Sequence, residues 1–262
     1  MQVTHPRYLS EPKDWSRLND YLLKQREVGL DTEGVGYKEA GPKQVTVWSI
    51  AAFNGKQSPR GYAHASGYVL PAEALHTFKP LLESEAVVKW LHNAPADTGG
   101  IYDSTGIVVN AARCTLQYSR VAMPGLDAYG LKPLASKVLG KPYRPDFSAV
   151  TGYEHVELVS SWATSKTCAC GVEKCRKRML PMHEKTEVSV ETVTEKRSWK
   201  EYSPADMHPG HERWLQWVDY ALEDAVDALE LASYLTNLKR QNPGDPYSEA
   251  VQAFARSNKW RG

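Results

Sequence analysis

The chain has 262 residues, 42% hydrophobic and 24% charged, enough to bury a sizeable core and unlike a disordered, collagenous or disulfide-stapled protein. Lys and Arg number 32 against 31 Asp and Glu, a net +1, so a polyanionic ligand has to be held by a local patch or through metal ions. No run approaches the roughly 18 apolar residues of a membrane span, and the opening MQVTHPRYLSEPKDW has no secretory apolar stretch, which predicts an intracellular, cytoplasmic protein with no membrane partner.

In chain order, residues 27–31 (EVGLD) close a short apolar run, and 45–53 and 62–70 follow as strands between Asn-Gly or Gly-rich breaks. Together they read as a three-stranded meander. A helix is expected over 72–82, ended or kinked by Pro80, then a fourth strand over 87–91 and a helix from Ala96. After an apolar piece at 107–109, helical spacing returns at 116–123 and 131–139. Strands followed by alternating β and α favour an α/β fold with a mixed central sheet flanked by helices.

Residues 162–200 differ in character, with nine Lys/Arg against five Glu and three of the four cysteines. The stretch reads as a basic, cysteine-containing insertion within a single domain of residues 1–262, and alternation over 186–193 (TEVSVETV) predicts an edge hairpin. The strongest helix follows over 211–239, with apolar residues at Leu215, Val218, Leu222, Val226, Leu229 and Ala232. From Asn242 a Pro-Gly-Asp-Pro turn leads into a short amphipathic helix.

Asp31 and Glu33 sit in LDTEG at the end of the first strand, and alternation puts both on one face. Two carboxylates so close repel unless a cation lies between them, and a hard divalent ion takes oxygen ligands of this kind. Taken alone, the pair also fits a solvated acidic turn. Asp97, in WLHNAPAD, falls with Asn93 at a strand-to-helix junction, where an acid is also favoured by the helix dipole. Asp224 and Tyr220 are four residues apart in YALEDA and share a helix face, a spacing equally common in core packing.

The residues LDTEG, HNAPAD and YALEDA, in that order, resemble the three motifs of DEDD-type 3′–5′ exonucleases, and the last has the Tyr-x-x-x-Asp form of the DEDDy branch. The histidine branch would have a His where Asp219 stands. Between the motifs, FKPLLESEAVVKWLHNAPAD and LKPLASKVLGK are similar to the proofreading exonuclease domain of family A DNA polymerases, the DNA polymerase I type; the likeness spans about 25–150 and 210–235. It implies a ribonuclease H-like (DnaQ-like) fold and phosphodiester hydrolysis with two Mg²⁺ or Mn²⁺. Asp31, Glu33 and Asp224 would hold the ion that binds the attacking water, with Asp31 bridging to a second ion supported by Asp97. Tyr220 would orient the nucleophile, and Asn93 would help fix the terminal nucleotide. Four carboxylates around a dianionic transition state would repel it without about two divalent cations.

The implied activity is removal of 5′-mononucleotides from the 3′ end of single-stranded or frayed DNA, as in proofreading. Val35, Tyr37 and Tyr62 are stacking candidates that fit ordinary packing equally well, and His64 and His92 read as structural histidines. No room remains after the third motif for a polymerase module, so the reading is a freestanding nuclease of a compact replication system such as a phage's, acting in the host cytoplasm, or an excised domain, with a DNA polymerase as partner. The alternatives are a ribonuclease D-like RNA exonuclease and a non-catalytic module that binds nucleic acid or a polymerase.

Cys168, Cys170, Cys175 and His183 make a C-x-C-x₄-C-x₇-H set that suits structural Zn²⁺, with Cys114 as a possible replacement for His183. Free thiols in a loop are the other reading, and the polymerase family has no such cluster between its second and third motifs. Arg176, Lys177 and Arg178 beside the cysteines either form a solvated face or track substrate phosphates.

Overall fold

The first strand runs Val28, Gly29 and Leu30 without an exposed position, the pattern of a strand covered on both faces. The computed structural model describes residues 5–35, 43–144, 147–168 and 185–241, and it shows how that covering arises. Helix α1 (Pro12–Leu22) leads into β1 (Glu27–Val35), which pairs antiparallel with β2 (Gln44–Gln57), itself antiparallel to β3 (Ala63–Pro71). Beyond α2 (Lys79–Leu82), β4 (Val88–Leu91) joins β1 in parallel; after α3 (Ala94–Thr105), β5 (Ala112–Cys114) joins β4 in parallel. The sheet order is β3-β2-β1-β4-β5.

Alternation along β2 divides the core. Trp48 and Ile50 face a cluster with Trp15 and Leu22 of α1, Phe78, Leu81, Leu91 and Ile101, whereas Ala51 packs on the other face with Ala225, Leu229 and Ala232. That second face carries the long helix α7 (Trp214–Gln241), which follows α4 (Thr115–Ala122), α5 (Leu131–Leu134) and α6 (Phe147–Thr151). Val47 and Val69 meet Trp214, Trp217, Val218 and Ala221 near the start of α7. The result is a mixed sheet between helical layers, the architecture expected from the element order.

The chain forms two compact units, Met1–Thr151 with Tyr202–Gly262, and Gly152–Glu201. The second contains a long antiparallel hairpin, β6 (Gly152–Cys168) against β7 (Lys185–Glu201), in register from Gly152 opposite Glu201 to Cys168 opposite Lys185. The expected hairpin over 186–193 is instead one stretch of β7. No Gly, Pro or Asn interrupts residues 185–201, so nothing turns the chain there.

Other differences have local causes. Residues 72–82 do not make one helix that Pro80 ends; a 3₁₀ turn (Ala72–His76) precedes α2, and Pro80 lies in the first turn of α2. A proline costs nothing there, because its missing N–H has no intrahelical partner. Residues 131–139 divide into α5 and a π turn (Ala135–Leu139), closed by Gly140 at φ 73°. Cys114 is buried in the apolar core. The tail from Asn242 lies outside the described residues. No helix among the described residues is long and apolar enough to cross a membrane.

Candidate active site

Asp31 and Glu33 lie near the C-terminal end of β1, just before the β1–β2 register shifts at Glu33/Gly34. Such a bulge twists and re-aims a strand end. Opposite Asp31 on β2 is Ser49, fully buried, whose hydroxyl donates to the Ala221 carbonyl of α7 at 2.6 Å. This bond fixes the turn of α7 that bears Tyr220 and Asp224. Carboxylate oxygens of Asp31, Glu33 and Asp224 consequently lie within 4.8 Å of one another.

Asp97 stands beside this group in the first turn of α3, whose N-cap Asn93 takes a left-handed φ of 65°. It is 4% exposed. Its Oδ1 accepts the Thr32 backbone N–H at 3.2 Å and the Thr32 hydroxyl at 2.6 Å, so the second motif is tied to the residue between Asp31 and Glu33. The Lys43 ammonium lies 3.6 Å from the same oxygen and donates to the Thr32 carbonyl at 3.1 Å and hydroxyl at 2.6 Å. Lys43 reaches this point because Gly100, one turn beyond Asp97, has no side chain; a Cβ there would come 2.5 Å from Lys43 Cδ.

Crowding shows in the protonation behaviour. Burial, reinforced by Asp97, Glu33 and Asp224, holds the Asp31 carboxyl well above the usual carboxylate range. Burial and the Asp224 charge push Glu33 up to about 8. Asp97 rises only to about 6, because Lys43 and the Thr32 hydrogen bonds oppose its burial. Asp224 is raised by burial against the lowering pull of Arg144 and Lys132. Burial and the three neighbouring carboxylates also raise Tyr220, so its hydroxyl remains a donor at neutral pH. Lys132 Nζ caps the Tyr220 ring at 4.0 Å from its centroid. Carboxylates that resist ionising together form a donor set waiting for positive charge. The all-oxygen chemistry of Asp31, Glu33 and Asp224 fits a hard divalent cation such as Mg²⁺ or Mn²⁺.

Asn93 is exposed at the start of α3. His92 meets the Thr115 hydroxyl at 3.0 Å and is lowered to about 4 by burial, so it is a neutral structural imidazole. His64 lies 3.2 Å from Glu230. Tyr62 is a core residue, 3% exposed, whose hydroxyl donates to the Leu139 carbonyl, so it offers no stacking surface. Val35 ends β1, and Tyr37 lies outside the described residues. Cys168 ends β6, whereas Cys170, Cys175, His183, Arg176, Lys177 and Arg178 lie outside the described residues. Three residues that sequence reasoning missed bear on the site: Lys43 on Asp97, Lys132 on Tyr220, and Arg144, which bonds Asp224 at 3.0 Å. None lies in a carboxylate motif, although Lys132 falls within the LKPLASKVLGK stretch.

Sheet order, parallel and antiparallel pairings and a carboxylate cluster at the end of β1 define a ribonuclease H-like nuclease fold. The family model described as 3′-5′ exonuclease, of the DNA polymerase A type, matches residues 6–165. The chain therefore belongs to the 3′–5′ exonuclease family, and its Tyr-x-x-x-Asp motif makes it a DEDDy-type, DnaQ-like member. Tyr220 and Asp224 lie beyond the matched residues, and the fold supplies their convergence with Asp31. Escherichia coli RNase D, an exoribonuclease involved in structured RNA processing, superposes with a TM-score of 0.55 at 12% identity, over 97% of this chain and 50% of that one. Brucella melitensis NrnC, solved with pGG bound, gives 0.54 at 14% identity, over 95% of this chain and 86% of that one. The catalytic core of RRP6 from Trypanosoma brucei gives 0.53 at 13%, over 95% and 50%. At these identities the likeness is one of fold. No curated protein sequence matches the chain.

Proposed function

We propose that this chain hydrolyses phosphodiester bonds at the 3′ end of single-stranded or frayed DNA, releasing 5′-mononucleotides as a proofreading nuclease does. The observation that carries this reading is the meeting of Asp31, Glu33 and Asp224 oxygens within 4.8 Å, from strand and helix at opposite ends of the sequence. In this reading those three carboxylates, with Asp97 beside them, hold two Mg²⁺ or Mn²⁺ ions. When bound, the ions supply charge stabilisation and a water nucleophile at neutral pH. The chain's own groups do the rest. Thr32 and Lys43 keep Asp97 in place, the protonated Tyr220 hydroxyl orients the nucleophile, and Asn93 contacts the terminal nucleotide.

DNA is preferred because the matching family model is of the DNA polymerase A type. A second reading, an RNA 3′ exonuclease, is favoured by the fold likeness to RNase D and RRP6. A polymerase partner, a phosphate-tracking role for Arg176, Lys177 and Arg178, and a structural Zn²⁺ on Cys168, Cys170, Cys175 and His183 belong to the same proposal. Matched 5′-labelled DNA and RNA oligomers incubated with Mg²⁺ test it. Stepwise shortening of the DNA strand supports the proposal, and faster loss of RNA reverses the substrate. Strand binding without shortening assigns a non-catalytic binding module instead.

A further inference from the structure

Helix α7 carries Glu223, Asp224, Asp227 and Glu230 within two turns, and Asp227 and Glu230 are only 1% and 2% exposed. Buried carboxylates at such spacing are costly unless cations meet them. The cations come from one short strap. The π turn ends at Gly140 in the left-handed region, and the residues that follow bring Lys141 and Arg144 to α7. Lys141 Nζ lies 2.6 Å from both Asp227 and Glu230. Arg144 Nη2 donates to Asp224 Oδ1 at 3.0 Å and also to Asp227, while Nη1 lies 2.7 Å from Glu223.

We propose that Arg144 is a positioning residue for the metal site, setting the plane in which Asp224 presents its carboxylate toward Asp31 and Glu33. The inference rests on the nuclease reading above and extends it to a residue outside the three motifs. One nitrogen shared between Asp224 and Asp227 ties the site carboxylate to a buried carboxylate one turn farther along α7. The planar guanidinium presents Nη1 to Glu223 and Nη2 to Asp224 and Asp227 in one rigid plane, which a lysine ammonium does not. Lys141 also meets Asp227 and Glu230, so the charge of those two buried carboxylates does not fall on Arg144 alone. Groups that orient metal ligands typically control metal affinity by ~10–100-fold when removed.

The test is calorimetric titration of Mn²⁺ into the full-length protein and its variants, read beside kcat, KM and melting temperature. Arg144→Gln should weaken Mn²⁺ binding ~10–100-fold and lower kcat at saturating strand with KM unchanged. Arg144→Lys should recover part of the affinity, because an ammonium keeps one contact and loses the rigid plane. Asp227→Asn, which leaves Asp224 itself intact, should shift Mn²⁺ binding in the same direction by less. A merely structural ion pair would lower the melting temperature while leaving Mn²⁺ affinity at the wild-type value or tightening it, and that result in the Gln or Asn variant overturns the proposal. Failure of the wild-type protein to bind Mn²⁺ would refute the nuclease reading itself, a separate outcome.

Discussion

Gly29 of β1 lies directly beneath Ala225 of α7, so close that a Cβ on the glycine would stand 2.2 Å from the Ala225 carbonyl oxygen. Gly29 is two residues before Asp31, and Ala225 is the residue after Asp224. The bare backbone of the strand therefore sets how near the two motifs come. Gly29→Ala is expected to force α7 outward, costing about 1–3 kcal/mol as overpacked cores do. Melting temperature and Mn²⁺ affinity should fall together, and a variant with wild-type values of both would show that this approach does not govern the site.

Mutual repulsion among the carboxylates predicts opposite effects on stability and turnover. Asp31→Asn removes from a crowded cluster a carboxyl that ionises only against its neighbours' charge, so the ion-free protein should melt higher than wild type in EDTA. Hydrolysis should be abolished, and Mg²⁺ should no longer raise the melting temperature. Asp224→Ala should also abolish hydrolysis, but its stability gain is offset by the loss of one of Arg144's three carboxylate partners. Differential scanning fluorimetry with and without Mg²⁺ separates the two effects.

Tyr220 contributes a hydroxyl rather than a charge. Its ring stacks on Trp217 at 5.8 Å between centroids and lies under Lys132, contacts that a phenylalanine keeps. Tyr220→Phe is expected to slow hydrolysis about tenfold, the worth of one orienting hydrogen bond, with little change in melting temperature. Single-turnover rates on a labelled strand give the measure.

The pH dependence of the ion-free protein follows from Glu33 and Asp97. Their folded values, about 8 and about 6, lie above ordinary values of 4.5 and 3.8. The folded state thus binds more protons than the unfolded state, and the stability linked to these groups is lost as pH rises through their folded values. His92, lowered from 6.5 to about 4, and Lys89, lowered by burial from 10.5 to about 8, act in the other sense, but His92 does so only as pH falls below 6.5 and Lys89 only as pH nears 8 and above. Between pH 6.5 and 7.5, where the Glu33 effect dominates, the ion-free melting temperature should decline, and the increment given by Mg²⁺ should grow. An increment independent of pH would contradict the repulsion described for the site.

Resemblance of the three motifs to DEDD-type exonucleases made the carboxylates legible in the sequence; periodicity alone only placed them. Alternation puts Asp31 and Glu33 on one strand face, helical spacing aligns Tyr220 with Asp224, and the order of the motifs joins them. The supporting cations were not legible, because their roles depend on distant geometry. Lys43 reaches Asp97 through room left by Gly100, and Arg144 reaches Asp224 because of the path taken after Gly140. β5 has only three residues, too few for a period to show. The charge imbalance marks 162–200, whereas the paired strands extend from Gly152 to Glu201, since the early part of β6 is not basic.

The most direct test of the central claim is anomalous diffraction from a crystal of the protein soaked in Mn²⁺ with a short DNA strand. The account predicts a manganese peak bound jointly by oxygens of Asp31, Glu33 and Asp224, with the 3′-terminal phosphodiester beside it. A strand seated in the protein with no manganese on those three carboxylates would contradict it.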